Sequence, residues 1–369
     1  MKIVYICNEI NFNSGWGVVN YHTVINSLPF FDEVIVITLK SANNIDLTEY
    51  GNLKVFPILG SMTNSKYKLG LVIIDNINIK KNINIGSIDL VHVLVEPLLP
   101  LVDIFKDSKK IFSIVGTYSD LAFKVGLNKF LYRKSLKKID TIVSISEYTA
   151  NRFNNIYKSC LKVIPLGVDF NSFKRKKYHP ARERAFVFVG HIKPRKGLIY
   201  ALEAFKNIIN YDDNIKLYIV SAVTGGPYAD ICFNYIKENK MSKQVVFLGK
   251  VSNDELTKIY NTSICNILTS INDEGHYEGF GLIHLEANAC GIPSIGSLDC
   301  GNESAIINGK TGFLCRQKAI ASIQDSMEII IKDFDNNNFE AWEKRCTQHA
   351  KENNWPYYFK KLKTKVYEI

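Results

Sequence analysis

Short, continuous apolar runs rich in β-branched residues recur along almost the whole chain, separated by longer stretches with helical periodicity. The first half contains KIVYIC, EVIVITL, LKVFPI, DLVHVL, KIFSIV and TIVSIS, and the second half contains AFVFVG, KLYIVS, VVFLG, ICNILT and PSIGS. Runs without polar alternation indicate strands buried on both faces, as in parallel sheets covered by helices. Two such series predict an α/β fold with two doubly wound, Rossmann-like domains facing each other across a cleft.

The boundary between the two domains is predicted in VIPLGVDFNSFKRKKYHP, where Pro165, Gly167 and Pro180 bracket charged residues. A chain of 369 residues is also too long for one ordinary core. We therefore assign residues 1–166 to an N-terminal domain and residues 167–354 to a C-terminal domain.

Composition narrows the class of protein. No apolar run reaches the length of a transmembrane helix, and the N-terminus MKIVYICNEINFN resembles a first strand more than a signal peptide. The eight cysteines are scattered, without C-x-x-C pairs or Cys/His clusters at zinc spacing. These features predict reduced thiols, a cytoplasmic location and no metal site.

The formal net charge of +10 suits an anionic ligand, an anionic membrane surface or nucleic acid. Basic residues concentrate in KFLYRKSLKK and FKRKKYHPARER, which could equally be a solvated helix face and a charged linker. Because no helix-turn-helix, RNA-binding aromatic signature or zinc finger accompanies the charge, nucleic acid is not expected as a partner.

Two glycine-containing loops are candidate anion sites. In NEINFNSGWGVVNYHTV, Gly15 and Gly17 would allow close approach to the backbone, and a helix from about Val18 would offer free N–H groups. A structural tight turn explains the same glycines equally simply. In FVGHIKPRKGLIYALEAF, Arg195 and Lys196 lie between a strand and a helix, where they could hold a diphosphate or remain solvated.

Two glutamates, Glu278 and Glu286, flank a helix start that follows the strand ICNILTS. That helix is predicted to begin around Gly281, and the backbone N–H groups of Phe280, Gly281 and Leu282 would form a positive end suited to phosphate. At about 1.5 Å per helical residue, eight positions span roughly 12 Å, comparable to a folded sugar nucleotide. Since carboxylates accept hydrogen bonds from paired hydroxyls, the glutamates are predicted to bind the two ends of a diphosphate-linked ligand.

The chain resembles a GT-B fold retaining glycosyltransferase of glycosyltransferase family 4 (glycosyl transferases group 1) over nearly its whole length. The similar segments are KVIPLGVDFNSF, VGHIKPRKG, VVFLGKVSNDELTKIYNTS, EGFGLIHLEANACGIPSIGS and GNESAIINGKTGFL. They resemble the family's linker, diphosphate loop, base-binding region, E-x7-E signature and the segment that follows it. The closing EKRCTQHAKENNWPYYFKKL resembles a terminal segment that crosses back, so a helix at 355–369 is expected to pack on the N-terminal domain.

The resemblance implies a role for each candidate. Glu278 would contact the transferred sugar, Glu286 would bind the ribose, and Lys196 would neutralise the diphosphate leaving group. No metal or other cofactor is implied, because basic side chains and helix dipoles stabilise the departing charge. The residues expected to bind the donor are Glu286, Phe280, Gly281, Leu282, Arg195, His191, Lys250, Val251, Gly15 and Gly17.

Two positions depart from the family pattern. His191 stands where the family often has arginine, and Arg195 is a candidate to compensate for it. Val115 stands where many members have a histidine near the donor sugar. His92, Tyr118 and Asp120 could fill that role or be structural.

The resemblance implies a retaining, metal-independent hexosyltransferase that uses a UDP- or GDP-sugar and a glycan or lipid-linked acceptor, in the synthesis of cell-surface polysaccharide or glycoconjugate. An anionic membrane surface at the inner face of the membrane is a further expected partner. Two alternatives stay open: a non-catalytic nucleotide-sugar or glycan-binding partner of another transferase, and a nucleotide-sugar 2-epimerase of the same fold.

Overall fold

The computed structural model describes residues 1–62, 69–121, 126–155, 161–175, 181–222 and 225–369. The chain folds into two compact units. The chain passes from one unit to the other between Leu166 and Gly167 and returns between Asn354 and Trp355. Unit 1 comprises Met1–Leu166 together with Trp355–Ile369, and unit 2 comprises Gly167–Asn354. The side chain of Asp120, one of the candidates for the role left open at Val115, lies outside this description.

Unit 1 contains a parallel sheet of seven strands in the order β3-β2-β1-β4-β5-β6-β7. The strands are β1 (Lys2–Ile6), β2 (Glu33–Leu39), β3 (Leu53–Leu59), β4 (Leu90–Val93), β5 (Lys109–Ile114), β6 (Thr141–Ser144) and β7 (Leu161–Val163). The helices between them are α1 (Gly15–Ser27), α2 (Leu69–Asn82), α3 (Tyr118–Leu121), α4 (Gly126–Leu136) and α5 (Glu147–Asn154). Short 3₁₀ helices cover Leu28–Phe30, Ile85–Ser87 and Glu96–Ile104.

The connections place the helices of unit 1 on opposite faces of its sheet. Crossovers between parallel strands are right-handed, and α2 and α4 connect strands in one direction along the sheet while α1 connects them in the other. Both α2 and α4 accordingly pack on the 3₁₀ helix Glu96–Ile104. They therefore share one outer layer, and α1 covers the other face.

Unit 2 contains a six-stranded parallel sheet in the order β10-β9-β8-β11-β12-β13. The strands are β8 (Ala185–Val189), β9 (Lys216–Val220), β10 (Val245–Gly249), β11 (Cys265–Ile267), β12 (Ser294–Ser297) and β13 (Gly312–Cys315). The α-helices are α6 (Phe170–Phe173), α7 (Leu198–Ile209), α8 (Pro227–Glu238), α9 (Asn253–Thr262), α10 (Leu282–Ala289), α11 (Ile320–Asp335) and α12 (Glu340–Glu352), and 3₁₀ helices cover Pro194–Lys196 and Gly301–Ser304.

The last segment of the chain packs within unit 1. Helix α13 (Trp355–Leu362) contacts α1, and the Trp355 indole stacks on His22 with ring centroids 4.6 Å apart. A π-helical turn (Lys363–Tyr367) then buries Tyr367, whose hydroxyl lies 3.2 Å from that of Tyr5 and 2.8 Å from Nδ1 of His92. The segment thus contributes side chains to the core of the N-terminal sheet.

All eleven strands expected from the apolar runs are present, and the parallel sheets confirm the α/β class. Two strands were not predicted, the short edge strands β7 and β13. The exposed Lys162 interrupts the apolar run of β7, and β13 has only three apolar residues after Gly312. Helix α1 begins at Gly15 and not near Val18, because Ser14 accepts a hydrogen bond from Gly17 N–H and caps it there.

None of the helices in the described part of the chain combines the length and hydropathy needed to cross a membrane.

The core of unit 2 lies between its sheet and the helices on both faces. Its largest buried side chains include Phe186 and Phe188 of β8 and Phe205 of α7, each fully inaccessible to solvent. Helix α7 therefore fixes the loop that precedes it against the sheet.

Gly197 joins the 3₁₀ turn to α7 at φ +66°, and a Cβ there would lie 1.8 Å from the carbonyl oxygen of Thr269. Gly309, also in unit 2, has φ +72°, and a Cβ at that position would meet nothing within 4 Å. We expect Gly309→Ala to lower the free energy of unfolding by about 1 kcal/mol through backbone strain alone. Gly197→Ala should lower it clearly more, because the loop must also move away from Thr269. Urea unfolding of the two variants makes the comparison, and equal losses would contradict the close contact.

Candidate functional site

The loop after β8 is held against the loop after β11 by two hydrogen bonds. The carbonyl oxygen of Arg195 accepts from the N–H of Ile271 at 2.9 Å, and that of Gly197 accepts from the hydroxyl of Thr269 at 2.8 Å. Strands β8 and β11 are neighbours in a parallel sheet, so their carboxyl ends lie at the same edge. The sequence-distant segments 191–197 and 269–281 are thereby brought together where ligands bind in open α/β sheets.

This arrangement brings three predicted site residues into contact. The Lys196 ammonium nitrogen lies 2.5 Å from Oε2 of Glu278, and Nη1 of Arg195 lies 3.0 Å from the same oxygen. The Glu278 residue is only 8% exposed. A buried carboxylate therefore sits between two cations that the sequence analysis assigned to a diphosphate.

The cations determine the charge state of Glu278. Burial alone would raise the pKa of this carboxyl, but the attraction of Lys196 and Arg195 outweighs burial and lowers its pKa to about 2. Burial lowers the pKa of Lys196, and Glu278 partly offsets that effect. Glu278 is therefore ionised at neutral pH, and with both Lys196 and Arg195 charged the cluster carries one net positive charge.

Helix α10 begins directly beside this cluster. Gly281 is its N-cap at φ +86°, and within the described residues no side chain accepts a hydrogen bond at that cap. The carbonyl oxygen of Glu278 accepts from the N–H of Gly301 at 2.7 Å, which ties the turn to the 3₁₀ helix Gly301–Ser304. The first N–H groups of a helix form a positive end that can bind an anion, and Phe280, Gly281 and Leu282 lie at this end as predicted from the sequence.

Glu286 lies in the second turn of the same helix, in a different environment from Glu278. Its Oε2 accepts a hydrogen bond of 3.4 Å from the hydroxyl of Tyr260, which is fully buried in α9. Burial raises the pKa of Glu286 to about 7, and the bond from Tyr260 offsets only part of the shift. The Glu286 residue as a whole is half-buried, so a ligand hydroxyl could still reach its side chain.

The remaining predicted donor residues of unit 2 also follow strands at this edge. His191 lies in the loop after β8 and is exposed, and burial together with Lys193, Lys196 and Arg195 lowers its pKa. A neutral imidazole contributes no charge at neutral pH, so the positive charge of this loop resides on its lysines and arginine. Lys250 and Val251 follow β10, with Lys250 exposed and Val251 half-buried.

Gly15 and Gly17 belong to unit 1, where they form the first turn of α1. Gly17 packs so closely on the preceding loop that a Cβ would lie 2.4 Å from Oδ1 of Asn11, while nothing lies within 4 Å of a Cβ at Gly15. The N–H of Gly17 donates to the hydroxyl of Ser14, so this N–H is not free to bind an anion. The close contact with Asn11 explains this glycine structurally.

Residues 169–351, about half of the chain, match the family model described as glycosyl transferases group 1. The chain belongs to the glycosyl transferases group 1 family. The matched region carries the whole cluster at Glu278 and the N-terminus of α10.

Curated relatives match about half of this group 1 chain. The GDP-mannose-dependent alpha-(1-6)-phosphatidylinositol monomannoside mannosyltransferase of Mycobacterium tuberculosis is 26% identical over 53% of this chain and 54% of the relative. The capsular polysaccharide biosynthesis glycosyltransferase CapM of Staphylococcus aureus is 27% identical over 45% of this chain and 44% of the relative. The chain thus spans about half the length of the curated relatives it matches.

Solved structures extend the likeness of the group 1 chain to its full length. The sucrose-phosphate synthase of Thermosynechococcus elongatus superposes with a TM-score of 0.79 at 16% identity, covering 100% of this chain and 98% of the other. Anabaena Alr3699/HepE in complex with UDP gives 0.76 at 15% identity, covering 100% of both chains. At such low identity these matches show the fold, which is GT-B with two Rossmann-like units.

One buried carboxyl of this group 1 chain was missed in the sequence analysis. Glu96, fully buried after β4, accepts hydrogen bonds from Val115 N–H (2.8 Å), Gly116 N–H (3.1 Å) and the Ser119 hydroxyl (2.9 Å), all at Oε1. Its Oε2 finds no hydrogen-bond partner among the described residues. The sequence feature that could have indicated this buried carboxyl is a single acidic residue within the apolar run VLVEPLLPLV.

The contacts of Glu96 bear on the departure at Val115. The carboxyl of Glu96 fixes the backbone of the turn after β5. Val115 lies in this turn, at the position where the family resemblance implies a histidine. His92 cannot replace that histidine, because it is fully buried and its ring nitrogens are bonded to Tyr367 and Ser113. The ring of Tyr118 lies 5.2 Å from that of Trp16. Glu96 thus holds in place the turn that carries Val115.

Burial raises the pKa of Glu96 from 4.5 to about 7, although its three hydrogen bonds oppose the shift. A carboxyl with a raised folded-state pKa takes up a proton on folding, so its contribution to stability is lost as pH rises from 4.5 through 7. Glu96→Gln keeps the acceptor oxygen but cannot ionise. We expect the stability of the variant relative to wild type to increase by on the order of 3 kcal/mol from about pH 4.5 to 8.

Urea unfolding at stepped pH, followed by hydrogen exchange in β4 and β5, measures this difference. Glu49→Gln is the matched control, because Glu49 is an exposed glutamate of the same unit. Parallel pH profiles for wild type and Glu96→Gln would show that Glu96 does not ionise in this range.

Proposed function

We propose that this protein is a retaining glycosyltransferase that transfers a hexose from a UDP- or GDP-sugar to a glycan or lipid-linked acceptor, in the synthesis of cell-surface polysaccharide or glycoconjugate. The observation that carries the proposal is the cluster at Glu278. Two cations meet a buried carboxylate beside the N-terminus of α10, at the carboxyl edge of a parallel sheet. This combination can bind a diphosphate and a sugar hydroxyl at adjacent points.

The diphosphate of the donor is proposed to bind at the N-terminus of α10 and to attract Lys196 and Arg195. These side chains would then neutralise the charge that grows on the leaving phosphate as the bond from the sugar C1 to the phosphate oxygen breaks. Released from part of its ion pair, Glu278 would accept a hydrogen bond from a sugar hydroxyl. In the free protein the low pKa of Glu278 keeps it ionised, so it would enter this exchange as an acceptor and not as a proton donor.

Retention requires the acceptor oxygen to bond to C1 on the face from which the leaving group departs. In the proposed step the acceptor hydroxyl gives its proton to the leaving phosphate oxygen while the new C1–O bond forms. We propose that no metal ion takes part, because the net positive cluster and the helix end already supply positive charge at the phosphates.

The relatives support the choice of donor and acceptor classes. One relative is named as GDP-mannose-dependent and acts on a phosphatidylinositol monomannoside, and a structural neighbour is described in complex with UDP. Another relative is named for capsular polysaccharide biosynthesis. We infer by analogy that this chain uses a UDP- or GDP-sugar and either a glycan or a lipid-linked acceptor.

We also propose a cytoplasmic location at the inner face of a membrane. The seven cysteines in the described part of the chain are free and buried, as suits a reducing compartment. The net charge of +10 favours an anionic surface.

A second candidate is a binding protein that holds a nucleotide sugar without catalysis. The neutral side chains at His191 and Val115 favour it, because both stand where the family resemblance implies catalytic or charged groups. This candidate predicts binding without turnover, whereas a transferase is expected to hydrolyse its donor slowly when no acceptor is present.

The role proposed for Glu286 predicts a pH-dependent affinity for the nucleotide. The ionised carboxylate accepts both ribose hydroxyls, and its pKa of about 7 in the free protein means that a proton must leave on binding. We expect the preferred nucleotide, found by thermal shift among UDP, GDP and ADP, to bind more tightly at about pH 8 than at about pH 6. Glu286→Ala should weaken binding about 10- to 100-fold, and Glu286→Gln should remove the pH dependence.

Isothermal titration at the two pH values measures both effects. Glu340→Ala, which removes an exposed glutamate of the same unit, is the control and should bind as wild type does. If no nucleotide stabilises the protein, donor binding itself is disproved.

The role proposed for Lys196 predicts a loss of turnover. Lys196→Met removes the cation nearest the leaving group, and we expect donor hydrolysis to fall about 10²- to 10³-fold. Lys193→Met, an exposed lysine of the same loop, should leave the rate unchanged. The rate is followed by release of the nucleoside diphosphate, and NMR of the first-formed sugar anomer tests retention. Wild-type protein that binds the donor but shows no turnover with or without acceptor would favour the binding protein.

A further inference from the structure

The outer layer of unit 1 presents two helices whose solvent-facing sides are apolar and basic. On α2, Ile73, Ile74 and Ile77 are 64%, 54% and 50% exposed, whereas Val72 and Ile79 on the other side are buried. The spacing i, i+1, i+4 places the three isoleucines on one face of the helix. Exposed lysines Lys80 and Lys81 follow in the last turn.

Helix α4 has a similar division. Phe130 is 71% exposed, and Arg133, Lys134 and Lys137 follow it at intervals of three, four and seven residues, all exposed. Its opposite side is buried, and the hydroxyl of Tyr132 donates to the carbonyl oxygen of Pro97 in the 3₁₀ helix Glu96–Ile104. Because α2 packs on that same 3₁₀ helix, the two exposed faces belong to one layer of unit 1.

The exposed charged side chains described on α2 and α4 are all basic. Helix α2 contains a single acid, Asp75, which is buried and accepts a hydrogen bond from the N–H of Gly60 at 2.8 Å. Helix α4 contains no acid. Lys138, just beyond α4, is paired with Asp103 at 3.1 Å, so it contributes less than the lysines of the two helices.

A surface that combines exposed apolar side chains with adjacent lysines and arginine fits one kind of partner best. Contiguous apolar side chains on a protein surface indicate an interaction site, but lysine is depleted in protein–protein interfaces. A bilayer interface takes both features, because acyl chains accept isoleucine and phenylalanine while lipid phosphates accept lysine and arginine. The absence of acids on the outward faces of α2 and α4 matches a negatively charged headgroup layer.

We propose that α2 and α4 form a docking surface for an anionic lipid bilayer, with Ile73, Ile74, Ile77 and Phe130 entering the headgroup boundary and the adjacent basic side chains binding lipid phosphate. This proposal rests on the proposed function, which includes a lipid-linked acceptor. It adds the surface that would bring the protein to the lipid. The surface itself lies wholly within unit 1 and can be tested without the donor.

Flotation of the full-length protein with vesicles tests the surface. One set of vesicles is phosphatidylcholine alone, and the other contains about a third phosphatidylglycerol. We expect flotation only with the anionic vesicles, and we expect it to weaken when salt shortens the Debye length from about 10 Å to about 3 Å. No flotation with either lipid would overturn the proposal.

Two combined variants separate the apolar and basic contributions. Ile73→Ser with Ile74→Ser and Ile77→Ser, and separately Arg133→Ala with Lys134→Ala and Lys137→Ala, should each lower the partition coefficient at least about tenfold. The matched control combines Ile231→Ser and Lys237→Ala on α8, which replaces a 56% exposed isoleucine and an exposed lysine in unit 2. Its partitioning should equal that of wild type.

Light scattering and nucleotide titration of every variant identify the other outcomes. If wild type is a dimer and the isoleucine variant is a monomer with unchanged flotation, the surface joins two copies of the chain and the proposal is wrong. Normal nucleotide binding without flotation would disprove the membrane surface alone. Flotation without nucleotide binding would disprove the donor chemistry and leave the surface intact.

Discussion

The contact of Glu278 with Lys196 and Arg195 is the interaction on which the site in unit 2 depends. A buried carboxylate is unfavourable unless it is paired and hydrogen-bonded, and here two cations meet one oxygen at 2.5 and 3.0 Å. That pairing joins the loop after β8 to the loop after β11. Buried ion pairs of this kind are weak evidence for stability, since an apolar replacement is often equally stable. Because these groups also lie beside a helix end that no described side chain caps, we propose that they serve binding.

Glu278 and Glu286 have different pKa values because their surroundings differ. Glu278 faces two cations and has a pKa of about 2, whereas Glu286 faces the buried hydroxyl of Tyr260 and has a pKa of about 7. In the free protein Glu278 is therefore charged at neutral pH, whereas Glu286 changes charge near neutral pH. A sequence motif that contains two identical side chains thus gives two acceptors with different responses to pH.

The strands were predictable because a strand buried on both faces needs a continuous apolar run, and β1 and β8 show this plainly. Strands β7 and β13 escaped prediction because the exposed Lys162 interrupts the apolar run of β7 and because β13 has only three apolar residues after Gly312. The Glu278–Lys196 contact could not be derived from spacing, because 82 residues separate the two side chains and the register of β8 on β11 brings them together. Glu96 was visible only as an acid in an apolar run, and its three donors come from a turn that the sequence does not place beside it.

In the proposed function, the cluster would also limit how tightly a diphosphate binds. In the free protein Lys196 and Arg195 already hold Glu278, so an incoming phosphate would gain only the difference between its own attraction for the cations and theirs for the carboxylate. The proposed exchange would nevertheless favour catalysis, because the attraction would grow as negative charge develops on the leaving phosphate. Glu278 would meanwhile gain a hydroxyl donor in place of part of an ion pair, so neither partner would be left buried and unpaired. A cluster that only stabilised the fold would not need the helix end to stay uncapped beside it.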